Sequence, residues 1–127
     1  MNKLYSILFL LTVLVLTGCG NNIKLTGRVV FPDGEPLTTG TIYFAKSDFQ
    51  ARANIRADGY YNVGSLSEKD GLPPGTYKVY ILGAIENNPD EKIISLIATK
   101  YIKEETTPLE ITVPSDENVY NITVEKP

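Results

Sequence analysis

The sequence predicts an all-β fold, a seven-stranded antiparallel β-sandwich behind an N-terminal signal peptide. Three observations lead there. From residue 23 onwards, short runs carry apolar side chains at every second position, the period of a half-buried strand. Asp-Gly, Pro-Pro-Gly and Asn-Pro-Asp clusters separate these runs, at roughly the 8–12-residue spacing of a sandwich. Eight tyrosines, ten glycines and eight prolines in 127 residues suit strands cut by turns.

The first element is a leader. Lys3 forms a short positive region, and Ile7 to Leu16 read ILFLLTVLVL with Thr12 as the one polar residue. That run matches the apolar stretch of an export signal and is shorter than the roughly 20 residues that span a bilayer. Its end, Leu16-Thr17-Gly18-Cys19, resembles the bacterial lipobox. The resemblance implies that the Cys19 thiol receives a diacylglyceryl group and that cleavage falls before Cys19. Residues 1–18 are then the signal peptide and residues 19–22 the lipidated cysteine with its tether. Acyl chains contribute roughly 0.8 kcal/mol per buried CH₂, so two or three hold stably. Gly20 follows the cysteine where aspartate would signal retention. By resemblance to Gram-negative lipoproteins, this favours the outer membrane if the host has one. Gly20, Asn21 and Asn22 reach only about 10 Å when extended, which places the domain close to the headgroups.

The strands follow in order. IKLTGRVVF points Ile23, Leu25, Val29 and Phe31 to one side and Lys24, Thr26 and Arg28 to the other, with Gly27 on the apolar side, where glycine permits a bulge or close packing. PDGEPL breaks this strand, and TIYFA follows with Ile42 and Phe44 inward. ARANIRA reads as a weaker third strand. Asp58-Gly59 is a hairpin signal leading into YYNVGSL. After the loop SEKDGLPPG comes TYKVYILGA, with Tyr77, Val79 and Ile81 inward and Lys78 and Tyr80 outward. Pro73 and Pro74 deny ladder donors, so this strand begins no earlier. ENNPDEK reads as a loop, and LEITV and VYNITVE as two closing strands around PSDEN. In residues 92–107, Ile93, Leu96, Ile97 and Tyr101 suit one helical face, while the isoleucines also suit an extended crossing. The reading adopted is extended or irregular chain with at most a short helical turn.

LTGRVVFPDGEPLTTGTIYFA, ADGYYNV and GLPPGTYKVYI together resemble the carboxypeptidase-regulatory-like domains, which have a transthyretin-like (prealbumin-like) Greek-key sandwich. The ending TKYIKEETTPLEITVPSDENVYNITVE looks like the tail of small bacterial lipoproteins of that type. The resemblance covers nearly all of residues 23–126, within a domain spanning 23–127. Its motifs are folding motifs, so it implies a fold more than a function.

Composition bounds the chemistry. There is no histidine and a single cysteine, which removes the commonest general base and the commonest zinc ligand, and any intrachain disulfide. The net charge is −3, and loss of residues 1–18, which carry Lys3 and no acid, leaves −4. A mildly acidic domain without basic runs argues against nucleic acid. Hydroxyisourate hydrolases of the same superfamily use histidines that this chain lacks. Asp33, Asp58, Asp70, Asp90 and Asp116 sit beside turn residues and read as turn formers. Asp116, Glu117 and Asn118 could offer oxygens to calcium but lack a ligand spacing. An isopeptide staple between Lys24 and Asn121 is disfavoured, because both alternate away from the apolar face. Asn121-Ile122-Thr123 matches the N-glycosylation pattern without meaning in a bacterial lipoprotein. No catalytic residue, metal site or cofactor is therefore expected.

The candidate binding surface is Tyr43, Tyr60, Tyr61, Tyr80 and Tyr120, an aromatic set able to receive sugar or protein. The expected function is a non-enzymatic, membrane-anchored, monomeric binding or accessory module for a protein or glycan partner. The alternative is a structural envelope protein acting through sheet packing.

Overall fold

A computed structural model describes residues 22–63, 71–90, 92–114 and 117–127. Residues 1–21, which hold Leu16, Thr17, Gly18 and Cys19, lie outside the described residues, as do Asp70 and Asp116.

The described chain is an all-β sandwich. Its strands are β1 (Leu25–Val30), β2 (Thr41–Lys46), β3 (Phe49–Asn54), β4 (Tyr60–Val63), β5 (Gly75–Leu82), β6 (Ile85–Asn87), β7 (Ile93–Ser95), β8 (Glu110–Val113) and β9 (Ile122–Thr123). One 3-10 turn, Thr99–Ile102, lies between β7 and β8. A three-stranded sheet has the order β4-β1-β9, a four-stranded sheet the order β3-β2-β5-β8, and β6-β7 form a separate ribbon.

Alternation builds the core as expected. Leu25, Val29, Tyr61, Val63 and Ile122 from the first sheet are buried against Ile42, Phe44, Tyr77, Val79, Ile81 and Ile111 from the second. The Phe44 and Tyr61 rings meet across the interface with centroids 6.0 Å apart. Leu37, Ile55, Leu72, Ile97 and Tyr101, all buried, close the ends. Among the described residues no buried side-chain nitrogen or oxygen lacks a partner.

Two departures from the expected seven antiparallel strands matter. First, β1 and β9 are parallel, pairing Val29 with Ile122 and Val30 with Thr123. The chain enters at Asn22–Ile23 and the last strand leaves the loop after Val113 at the same pole, so both run the same way. Alternation cannot reveal this, since parallel and antiparallel strands share the period of two.

Second, ENNPDEK is not an isolated loop but the tip of the β6-β7 hairpin, registered Ile85 to Ser95, Glu86 to Ile94 and Asn87 to Ile93. The reading of residues 92–107 as extended chain with at most a short helical turn agrees with β7 and the 3-10 turn at Thr99–Ile102; Ile97 and Tyr101 are buried, Leu96 is half-buried and Ile93 is exposed.

The strands give the molecule two poles. One holds Ile23, whose N–H donates to Leu72 O at 2.8 Å, together with the start of β5. The other holds the end of β5, the ribbon, and the C-terminal segment, where Ala98 N–H donates to Glu125 O at 2.9 Å. The eight residues of β5 separate them, about 26 Å at strand rise.

Candidate functional site

The five candidate tyrosines do not share one surface. Tyr43 and Tyr80 are opposite each other in the β2-β5 register, and outward alternation puts both on the outer face of the four-stranded sheet. Their rings stack with centroids 5.1 Å apart and planes 8° off parallel. The neighbouring register places Gln50 across from Ala45, whose small side chain lets the Gln50 Nε2 donate to the Tyr80 hydroxyl. Burial and the nearby Glu104 carboxylate push the Tyr80 phenol up, against the opposing pull of the Gln50 hydrogen bond. It therefore stays a neutral donor at physiological pH.

Around this pair the outer face is polar and self-satisfied. Arg52 flanks Tyr43 in register. Lys78 lies 3.4 Å from Glu110, and the Thr76 and Thr112 hydroxyls are 2.8 Å apart. Stacked face to face, the two rings present edges and hydroxyls rather than one flat plate. Such a face can hydrogen-bond a partner surface and offers little to a sugar ring seeking an open aromatic plane.

The other three tyrosines sit elsewhere. Tyr60 is partly exposed on β4, in the opposite sheet. Tyr120 is half-buried beside β9; burial raises its phenol, offset in part by a hydrogen bond from the Glu110 backbone on β8. Its ring thus closes the seam between the two sheets.

Tyr61 must be removed from the binding surface altogether, since it is fully buried. Its hydroxyl donates to Tyr120 O at 2.5 Å, and desolvation drives its phenol well above the tyrosine range. To reach that carbonyl the side chain crosses its register partner Gly27. A Cβ at Gly27 would lie 1.9 Å from Tyr120 O and 2.8 Å from the Tyr61 hydroxyl. Gly27 is therefore the gap through which Tyr61 latches the last strand. With its partner carbonyl taken, the Arg28 N–H turns to the Asn121 Oδ1 at 3.1 Å, and regular pairing in β9 shrinks to two residues. Lys24 and Asn121 are both exposed, and Asn121 serves the backbone of β1.

The aspartates act in turns where described. Asp33 Oδ1 accepts from Glu35 N–H at 3.0 Å, and Asp58 Oδ1 accepts from Tyr60 N–H at 3.0 Å. Glu117 is exposed; its proposed companion Asp116 lies outside the described residues. Among the described residues no three histidine, cysteine or acidic side chains gather. A shallow hollow of about 250 Å³ lies between Phe31, Pro32, Asp33, Glu125 and Lys126, below the roughly 300–1,000 Å³ of ligand clefts. No helix among the described residues is long and apolar enough to cross a membrane.

Sequence reasoning missed the ribbon. Ile85, Ile93 and Ile94 are exposed, with Leu82 beside them at the end of β5. The extended reading of the run after Asn88-Pro89-Asp90 agrees with β7, but no local feature marks Ile85–Asn87 as its pairing partner across the turn.

No family model matches the chain, and no curated protein does. The fold is shared with part of two solved structures, BcpA, the major pilin subunit of Bacillus cereus, and its D312A variant. Each is 9% identical with a TM-score of 0.54, and the match covers 84% of this chain and 30% of theirs. The chain thus resembles under a third of a pilin subunit's length, and what the two share is an all-β sandwich fold.

Proposed function

We propose that this chain is a non-catalytic envelope lipoprotein, tethered through Cys19 and acting as a binding or accessory module for a protein or glycan partner. The carrying observation is polarity. The described chain begins at one pole, three residues after Cys19 in sequence, while the exposed apolar residues Ile85, Ile93, Ile94 and Leu82 cluster at the other, leaving Tyr60 on β4 and Val119 beside Thr26 as separate exposed positions. A tether below and an unsatisfied surface above suit a molecule that meets partners away from the bilayer. In this reading residues 1–18 are a leader and residues 23–127 a carboxypeptidase-regulatory-like, transthyretin-like Greek-key domain with seven core strands. The lipobox and the position of Gly20 support an outer-membrane site in a Gram-negative host. The edge-on Tyr43–Tyr80 stack tips the partner towards protein rather than glycan.

The test is mass spectrometry of the protein from native envelopes, joined to crosslinking and pull-down there. A diacylglyceryl-modified Cys19 at the new N-terminus and a reproducible partner are expected. An unmodified thiol or a retained leader would sink the anchoring; no enrichment would sink the binding role.

A second reading, a structural protein working by sheet packing, draws support from the pilin-subunit likeness and from the unpaired edges of the β6-β7 ribbon. It predicts concentration-dependent self-association in analytical ultracentrifugation, where the binding module stays monomeric.

A further inference from the structure

The β6-β7 ribbon carries the strongest unexplained surface of the molecule. All six residues of its two strands are exposed, with Ile93 at 67%, Ile85 at 46% and Ile94 at 38%. Among the described residues each strand pairs only with the other, so both outer edges keep free backbone groups. A lone two-stranded ribbon is marginal in water, yet this one is held in shape. The Asn88 Oδ1 accepts from Asp90 N–H at 3.1 Å and from Lys92 N–H at 3.0 Å. Asn88 N–H donates to Lys92 O at 3.0 Å, and Leu96 N–H donates to Ala84 O at 2.8 Å, closing the base of the ribbon, where Ala84 is buried and Leu96 packs against the core. An exposed, preorganised edge of this kind is what strand addition uses.

Charge and position select the occupant. Residues 83–96 contain Glu86, Asp90 and Glu91 against the single base Lys92. A second copy would bring the same acidic rim, and like charges across an interface oppose association. An anionic lipid surface meets the same repulsion, and the ribbon lies at the pole away from Ile23. Resting on the binding-module reading, we infer that the ribbon docks an extended apolar segment of a partner polypeptide, flanked by lysine or arginine, which adds as a strand to its edge. Ile85 and Ile93 share one face, while Glu86 and Ile94 share the other. The incoming strand therefore sets apolar side chains against the first face, and its basic flanks meet the charge of Glu86 and Asp90. The contact is small and belongs to the weak, transient class.

The probe is a ten-residue peptide of alternating threonine and valine with two lysines at each end, compared with its glutamate-flanked twin. Binding to the isotope-labelled full-length protein in detergent is followed by amide shifts. The lysine probe should bind with shifts confined to residues 82–96. Affinity should fall about tenfold or more for the glutamate twin, for Ile93→Asn and for Glu86→Lys. Both variants should melt with the wild type, because the two side chains are exposed. No binding by the lysine probe, shifts elsewhere, or unchanged affinity in both variants overturns the proposal. So does self-association lost in Ile93→Asn, which assigns the ribbon to a second copy. Anionic-vesicle binding lost in that variant would assign it to lipid and overturn the proposal equally. In native envelopes, a partner recovered equally by wild type and Ile93→Asn overturns the ribbon alone. Failure of the wild type to recover any partner overturns the reading beneath it.

Discussion

Gly27 and Tyr61 form the most demanding contact at the residue scale. The glycine is needed for space, since any Cβ meets the Tyr120 carbonyl well inside van der Waals contact. Gly27→Ala should destabilise the fold by at least about 3 kcal/mol, the upper range of overpacking, read by chemical denaturation. Tyr61→Phe keeps the ring but strands the Tyr120 carbonyl, at about 1–3 kcal/mol. That variant also tests linkage. Tyr61 stays protonated in the fold far above the ordinary phenol value of 10.0. Below that pH both states hold the proton. Above it the unfolded chain ionises while the fold does not, so stability falls as pH rises, by about 1.4 kcal/mol per pH unit for each such group. Tyr77, Tyr80 and Tyr120 are raised too and steepen the alkaline limb. Tyr61→Phe should make it shallower in a pH series of urea midpoints; an unchanged slope would refute the burial account. At Gly75 the backbone φ is +152°, in glycine's territory, and a Cβ would press the Lys46 side chain. Gly75→Val should lower stability by about 1–3 kcal/mol, visible as a lower melting temperature.

At the scale of elements, the segment between the 3-10 turn and β8 depends on one hydroxyl. Among the described residues Thr107 is the buried polar side chain of the core. It donates to Val79 O at 2.5 Å and accepts Leu109 N–H at 3.2 Å, stitching that segment to β5 where regular β5-β8 pairing stops. Thr107→Val preserves the shape and leaves both groups unpaired. It should cost about 1–3 kcal/mol, and hydrogen exchange should speed first at Val79 and Leu109. Nothing in the local pattern TTPLE marked Thr107 over Thr106, because the choice follows from which hydroxyl meets the Val79 carbonyl. The Asp58-Gly59 turn, by contrast, was legible, since its Asx hydrogen bond and glycine φ of +84° are local; the hairpin it signals does not form, because the chain crosses there from β3 in the four-stranded sheet to β4 in the three-stranded one.

The whole molecule draws its stability from burial rather than charge. The ion pairs among the described residues, Lys78–Glu110 and Lys100–Glu125, are both solvent-exposed, the kind that contributes little and is screened by salt. The melting temperature should therefore shift by no more than about 2–3 °C between low salt and 0.5 M sodium chloride. A larger fall would place an electrostatic network at the centre of the fold. The polarity of the molecule also belongs to this scale, since it arises from strand directions that no segment reveals alone.

The sequence by itself determined the all-β class, the buried faces of β1, β2 and β5, the turns at Asp33 and Asp58, and the proline-fixed entry to β5 at Pro73-Pro74-Gly75. These are local properties, set by period-two alternation and by residues with restricted or permissive φ. Only the tertiary structure decided the parallel seating of β9, the burial of Tyr61 away from the other tyrosines, and the exposure of Ile93. Each of those depends on which segments, distant in the chain, come to lie side by side, and alternation is silent about neighbours.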